Sequence, residues 1–330
     1  MSNALYDVIG IGNAIVDVIS AVPESQIIDF GINKGAMTII DIEQAEKIYG
    51  LMDKKFEASG GSAANTLAGL SSLGGKGAFI GKVKNDSLGK IFCEDLMDVG
   101  VVHKTIPSLD GPPTARCLVF VTPDAERTMQ TYLGISVELG PEDIDHDSII
   151  SADITYLEGY LFDPPKAQQA FISASKIAHN ANRKVALSLS DAFCVDRHRS
   201  EFIAFISDHA DILFANEAEI TSLFEVDSFE EAVKLIQSFC KTAVLTRGVQ
   251  GCTIVESEKI FEVQACRVEN VVDTTGAGDL FAAGFLFGLS NGQALPDCGK
   301  LGSIAAAEII THFGARPEKS LAKLVLEKRA

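Results

Sequence analysis

The segment Asp273-Thr274-Thr275-Gly276-Ala277-Gly278-Asp279 runs directly into the apolar stretch Leu280-Phe281-Ala282-Ala283-Gly284-Phe285. A glycine-rich turn that opens a helix presents unpaired backbone N–H groups and the positive end of the helix dipole. That setting favours an anion such as phosphate without any lysine. Asp279 then falls in the first helical turn, beside any bound phosphate, where repulsion makes it wasteful unless it handles a proton. A carboxylate kept ionised at a helix N-terminus can take one from an attacking hydroxyl. The structural alternative is that Asp279 caps the helix and the glycines allow close helix–sheet packing.

Three further clusters have chemically useful spacing. In Gly60-Gly61-Ser62-Ala63-Ala64-Asn65, paired glycines can absorb a hinge rotation and admit a ligand to the backbone, while Asn65 offers a donor and an acceptor one turn into the next helix. An ordinary helix start capped by Ser62 accounts for the same residues. Asn216 and Glu219, at i and i+3 after a predicted strand, share a helix face suited to hydrated Mg²⁺, or form a capping box. Thr246-Arg247-Gly248-Val249-Gln250-Gly251 ends another strand in a turn that could lie against a nucleotide. By contrast, Gly10-Ile11-Gly12-Asn13-Ala14-Ile15-Val16-Asp17 has Ile15 where a dinucleotide fingerprint needs its third glycine, which argues against an NAD site. Asp17 follows the carboxyl end of the first predicted strand, where open α/β sheets bind ligands. Its carboxylate suits a pair of vicinal hydroxyls, or simply a turn.

These segments need a scaffold, and the hydrophobic pattern supplies one. Strand-like runs at 6–12, 77–83, 154–160, 184–190, 212–215 and 243–247 alternate with helical patterns at 62–73, 88–99, 165–180, 229–240 and 278–289. That alternation is the mark of a parallel sheet covered on both faces. Residues 114–121 and 127–133 read as an antiparallel hairpin, and 35–40 as a further short strand, so a small accessory sheet is expected from discontinuous segments. Within the hairpin, Arg127, Met129, Thr131 and Leu133 share one face by the two-residue period.

Composition excludes several classes of function. With 28 Lys and Arg against 45 Asp and Glu, the net charge is −17 over 330 residues, which repels nucleic acid and anionic membrane alike. The chain is 47% hydrophobic, enough for a large core, and its length suits two units or one large core with an appendage. Neither a repeat nor a low-complexity linker marks independent tandem domains. The start has no basic leader, and the apolar run 280–289 is far short of the roughly 20 residues of a membrane span, so the expected location is the cytoplasm. Seven scattered cysteines without a Cys-x-x-Cys pair read as reduced thiols, and the histidines lack metal-ligand spacing. Walker A, protein-kinase and serine-hydrolase motifs are all missing.

Taken in order along the chain, the clusters resemble the carbohydrate-kinase (pfkB) family that includes ribokinase, fructokinase and adenosine kinase. The resemblance spans essentially the whole length, with Gly60 to Asn65 and Asp273 to Asp279 as its two signatures. It implies a Rossmann-like αβα sandwich with a mostly parallel central sheet plus a small β-sheet lid, and transfer of the ATP γ-phosphoryl to a primary hydroxyl. The large domain is expected at 1–12, 46–112 and 136–330, and the lid at 13–45 and 113–135.

By the same resemblance Asp279 is the base, and the backbone N–H groups of Gly276, Ala277 and Gly278 form the anion hole. Asn216 and Glu219 position Mg²⁺ through water, and Thr246, Gly248 and Gly251 form the nucleotide turn. Asp17, Gly61, Ser62 and Asn65, with Asn13 and Gly60, hold the acceptor. Asp273 and Thr275 match ligands of a monovalent cation, K⁺ by expectation, with Ile309, His312 and Gly314 as later contributors. Residues 12–17, 187–193 and 211–219 look most like the adenosine-kinase branch. Arg127 matches a phosphate-directed lid arginine of that branch, with Met129, Thr131 and Leu133 beside a flat base. Glu158, however, stands where that branch is more apolar, which keeps a ribokinase-type or fructokinase-type sugar kinase as the alternative. The expected partners are small molecules, with no nucleic acid and no membrane, in a monomer or homodimer.

Overall fold

In the computed structural model, which describes residues 4–52, 54–124 and 126–329, the apolar runs become strands whose burial follows their sequence. In chain order these are β1 (Tyr6–Ile11), β2 (Ile15–Ala21), β3 (Met37–Ile39), β4 (Phe56–Gly60), β5 (Gly77–Ile80), β6 (Val101–His103) and β7 (Ala115–Val121). There follow β8 (Arg127–Tyr132), β9 (Ala152–Glu158), β10 (Lys184–Ser188), β11 (Ile212–Asn216), β12 (Thr242–Thr246), β13 (Cys252–Glu256) and β14 (Lys259–Val263). Nine of them form the main sheet in the order β14-β13-β12-β11-β10-β9-β1-β5-β6. The β12–β13 and β13–β14 pairings are antiparallel, and the other ladders of that sheet are parallel.

Both faces of the main sheet are covered, as continuous apolar strands require. On one face Ile9, Leu157, Leu187 and Leu213 pack with Phe162, Phe171, Phe202 and Phe205 from the helical layer. On the other, Val8, Tyr156, Phe214 and Val244 meet Leu67, Phe281 and Phe285. The helix Ala277–Ser290, almost entirely apolar, is therefore buried on nearly every side, between the helices Ser62–Ser72 and Leu295–Ile309. No helix of the described residues is long and apolar enough to cross a membrane. All seven cysteines are free thiols.

The accessory sheet has the order β3-β8-β7-β2-β4. Its hairpin is β7–β8, paired Arg116↔Tyr132 through Val121↔Arg127. It takes two strands more than the sequence pattern indicates, β2 and β4, which pair antiparallel from Ile19↔Phe56 to Ile15↔Gly60. The helix Ile42–Leu51, begun by an Asp41–Gln44 capping box, also packs here, through Ala45 and Ile48. The small unit thus runs on to Gly60 instead of stopping at residue 45. Phe-Glu-Ala-Ser-Gly alternates apolar and polar for only five residues, and its burial does not follow that alternation, with Phe56 exposed and Ser59 and Gly60 buried, so its ladder to β2 defines it as a strand.

Candidate active site

At β1 the order of the main sheet reverses: the chain builds outward through β5 and β6 on one side and through β9 to β12 on the other. The crevice outside the carboxyl ends at such a switch point is where open α/β sheets take ligands. Asn13 after β1, Glu158 ending β9, Ser188 ending β10, Asn216 ending β11 and Thr246 ending β12 all line one cleft of about 1650 Å³ there. Its floor is Gly276 to Asp279, and its roof is the inner face of the small sheet.

On the floor, Gly276 caps the helix Ala277–Ser290 in the left-handed region (φ +75°). A side chain there would meet Ala315 as well as strain the backbone. Asp279 Oδ1 accepts a hydrogen bond from Ser62 Oγ (2.6 Å) and Oδ2 accepts one from Asn65 Nδ2 (3.1 Å). The two sequence signatures, more than 200 residues apart, are therefore joined by direct contact. Burial raises the Asp279 carboxyl above its ordinary range, against the pull of Ser62, Asn65 and the Arg316 guanidinium. Helix position alone does not set its protonation state.

Behind the floor, Glu158 Oε1 accepts from Asn13 N (3.2 Å) and Asn13 Nδ2 (2.9 Å), while Oε2 accepts from Ala63 N (2.8 Å). The carboxylate fixes the start of the helix Ser62–Ser72 and the orientation of Asn13. Burial pushes its pKa up to about 7 in spite of these donors. Because both oxygens hold protein N–H groups, Glu158 is occupied with positioning. Asn13 Oδ1 and Asn65 Oδ1, by contrast, are buried in the cleft wall without a partner.

The roof brings Asp17 from β2 and Arg127 from β8 over the floor. Asp17 has no hydrogen-bond donor among the described residues; burial pushes its pKa up to about 6, against Arg127 and Arg316 and reinforced by Asp279. Gly61, at φ +91°, leaves no room for a side chain beside the Asn13 carbonyl, and one on Gly60 would strike the Asp17 carboxylate. Met129, Thr131 and Leu133 follow Arg127 along the roof. Its remaining surface is apolar: Ile15, Ile19, Cys117, Val119 and Val121.

At the ends of β11 and β12, Asn216 and Glu219 form the capping box. Asn216 Oδ1 accepts from Glu219 N (2.8 Å), and Glu219 accepts from Asn216 N (2.9 Å) and Nδ2 (2.6 Å). Glu219 is buried, which pushes its pKa up to about 7. Each Glu219 oxygen carries one Asn216 N–H group and keeps one lone pair, so the carboxylate at the cleft wall can still accept from the water shell of a divalent ion, and these residues fit such an ion.

The residues matched to a monovalent cation do not fit one as placed. Asp273 Oδ1 accepts from Thr275 N (3.0 Å) and Oγ1 (2.7 Å), and Oδ2 accepts from Gly314 N (3.1 Å) with Arg127 Nη1 at 2.8 Å. Burial notwithstanding, these donors hold its pKa below the usual value. The guanidinium already supplies the positive charge. Arg127 also donates to Thr275 Oγ1 (3.1 Å), so here it is tied to the glycine-rich turn. Ile309, His312 and Gly314 are matched through their backbones, so the buried Ile309 side chain and the bonds of the His312 ring to Glu308 and the Phe313 carbonyl do not bear on that match. Gly251 is likewise off the cleft wall, its missing side chain explained by the Val263 and Ala265 backbone, whereas Thr246 and Gly248 do line it.

The part of the apolar roof that comes from β2 and β7, and Arg316, have no counterpart in the sequence reading. Along β2 the outward Val16 and Val18 are as apolar as the inward Ile15 and Ile19, so alternation carries no contrast. Arg316 contacts residues some 250 positions away, and only its neighbourhood to Gly314 hints at the site.

Comparison with known proteins gives a consistent family. Residues 40–321 match the model described as pfkB family carbohydrate kinase. The chain is similar to a probable sugar kinase protein from Rhizobium etli CFN 42, at 48% identity over 99% of both chains with a TM-score of 0.92. It is similar to the same degree, 48%, to the adenosine kinase from Sinorhizobium meliloti, over 99% of this chain and 100% of that one, with a TM-score of 0.91. Probable fructokinase-5 from Arabidopsis thaliana is 31% identical over 255 residues, covering 74% of this chain and 78% of that protein.

Proposed function

The chain belongs to the pfkB family of carbohydrate kinases, phosphotransferases that use ATP with a divalent metal to act on an alcohol group, and we propose that its acceptor is the 5′-hydroxyl of adenosine or a related ribonucleoside, giving AMP and ADP. The observation that carries this reading is the contrast across the cleft. Below and behind lie Asp279 and the unpartnered Oδ1 atoms of Asn13 and Asn65, which can accept from hydroxyls, and Asp17 adds one more acceptor from the roof strand β2. Above lies the apolar surface of Ile15, Ile19, Val119, Val121 and Met129. A ribose can satisfy the first while a flat base covers the second. A free sugar would leave hydroxyls against that apolar roof, at about 1–3 kcal/mol for each one unpaired. Glu158 does not argue against a base, since its oxygens are taken by Asn13 and Ala63.

Catalysis on this reading needs few parts. Asp17 and Asn65 hold the ribose so that the 5′-hydroxyl faces Asp279. As the 5′-oxygen bonds to the γ-phosphorus and the bond to the β-phosphate oxygen breaks, Asp279 takes the hydroxyl proton. The N–H groups of Gly276, Ala277 and Gly278 face the charge that spreads over the transferring oxygens. A side chain on Gly278 would meet no protein atom, so packing does not demand a glycine there and the space beside it is open. A bound divalent ion, Mg²⁺ on this proposal, neutralises phosphate charge, and Asn216 and Glu219 are the residues that would hold its water shell. Closing the small sheet over the cleft keeps water from accepting the phosphoryl group.

The second reading, a sugar kinase, draws on the Rhizobium etli and Arabidopsis relatives and on the same hydroxyl acceptors. ADP release from Mg-ATP with adenosine, inosine, guanosine, ribose and fructose separates the two. Adenosine is expected to be the best acceptor. Turnover of ribose or fructose with none of any nucleoside would overturn the proposal.

A further inference from the structure

Arg316 lies in the loop that follows the helix Leu295–Ile309 and lines the cleft beside Asp17 and Asp279. Its Nη2 donates to the carbonyl (3.2 Å) and hydroxyl (3.0 Å) of Ser59, and its Nη1 to the carbonyl of Ala64 (3.1 Å). Ser59 is the last residue but one of the lid strand β4, whereas Ala64 sits in the first turn of the helix Ser62–Ser72 of the main body. Gly60 and Gly61, the hinge pair, lie between these two attachment points. One planar, five-donor fork therefore grips both sides of the hinge, a geometry a lysine cannot reproduce.

The same loop is anchored at the anion hole. Gly314 N donates to Asp273 Oδ2 (3.1 Å), and Ala315 stands where a side chain on Gly276 would be. Ser59 N is held separately by Asp95 Oδ2 (2.7 Å), which gives the end of β4 a second anchor. The Arg316 Nε is buried without a partner. Rotation about the hinge that separated Ser59 from Ala64 would leave more of that guanidinium's N–H groups without an acceptor, so the gripped position is favoured.

We propose that Arg316 is a positioning residue that locks the Gly60–Gly61 hinge to the anion-hole turn, so that the seat of the acceptor and the hole for the transferring phosphoryl assemble as one unit. This rests on the phosphotransfer reading above. Its charge has a second consequence. Asp279 faces Asp17 from β2, Tyr156 and Glu158 from β9, Tyr160 just beyond it, and Arg316. Among these Arg316 is the cation, and it favours the ionised base.

Kinetics and hydrogen exchange on Arg316→Met and Arg316→Lys in the full chain test the lock. In Arg316→Met, kcat/KM for the acceptor is expected to fall about 100-fold, the cost of a misplacement near 1 Å. Exchange should quicken across residues 57–65 alone, and the acid limb of the pH–rate profile should move to higher pH. Arg316→Lys should restore the acid limb while exchange at 57–65 stays fast, and it carries the test if the methionine variant fails to fold. Unchanged exchange at 57–65 in either variant overturns the lock, as does acceleration spread evenly over the chain, which marks a merely structural arginine. Asp279→Asn in the same assay keeps the two readings apart: turnover there defeats the base assignment, while exchange at the hinge still reports on Arg316.

Discussion

The floor and the roof of the cleft are built in opposite ways. The floor is two short contiguous segments, polar and glycine-rich, in which Asp279 is held by Ser62 and Asn65 at 2.6 and 3.1 Å. The roof is five strands gathered from separate stretches, mostly apolar, whose Asp17 has no hydrogen-bond donor among the described residues and whose edge residues Met37, Ile39 and Phe56 are exposed. A floor of fixed hydrogen bonds suits a reaction whose charges develop at set positions. A roof of unpaired groups and bare apolar surface suits a wall that is finished only by its ligand. On the proposed reading, then, the floor sets the chemistry and the roof sets the acceptor.

The sharpest way to break that division is at the floor. Asp279→Asn keeps the shape and the Ser62 contact but cannot take a proton, so kcat should fall by about 10²–10⁴-fold, the usual worth of a general base. ATP affinity measured by calorimetry should stay close to that of the parent, because the backbone N–H groups remain. A normal kcat in this variant would move the chemistry away from the floor altogether.

The same contrast explains what could be read in the sequence. Floor segments are legible because a glycine-rich turn followed by an apolar helix has one local physical meaning wherever it occurs. The parallel sheet is legible for the same reason, since β1, β9, β10 and β12 are each built around a short, mostly apolar stretch. The roof is only half legible. Period two puts Arg127, Met129, Thr131 and Leu133 on one face, and all four line the cleft. Yet β4 is a strand only through its ladder with β2, and β2 itself is apolar on both faces. The placement of Arg127 on Asp273 and of Arg316 across the hinge depends on contacts between distant segments, which no local pattern encodes.

A change on the roof should alter selection and spare the chemistry. Met129→Gln is close in volume, lies on the inner face of β8, and replaces apolar surface with an amide that a base has no reason to cover. The expected result is a KM for adenosine raised roughly tenfold with kcat little changed, the mark of lost uniform binding. The KM for ATP should not move. Should kcat fall as far as in Asp279→Asn, roof and floor would not be separable, and the division above would fail.

The smallest effect is thermal, and it sets Asp17 against Glu158. Both are carboxylates that burial pushes up, Asp17 from 3.8 to about 6 and Glu158 from 4.5 to about 7. A carboxyl with a raised folded pKa binds a proton that the unfolded chain has already released. Its contribution to stability is therefore fully present below the unfolded value and declines as pH rises through the folded one. At pH 7.5 the ionised Asp17 costs stability in the free protein. Asp17→Asn removes that charge without removing any protein hydrogen bond, so Tm should rise by about 2 °C at pH 7.5 and the gain should shrink toward pH 4.5. Glu158→Gln also removes a charge, but its new N–H₂ cannot accept from Asn13 or Ala63, so the gain should be cancelled or reversed. Thermal unfolding of the two variants at both pH values decides it. A Tm gain for Asp17→Asn that does not depend on pH would mean the carboxylate is not held at a cost, and the roof would then be as settled as the floor.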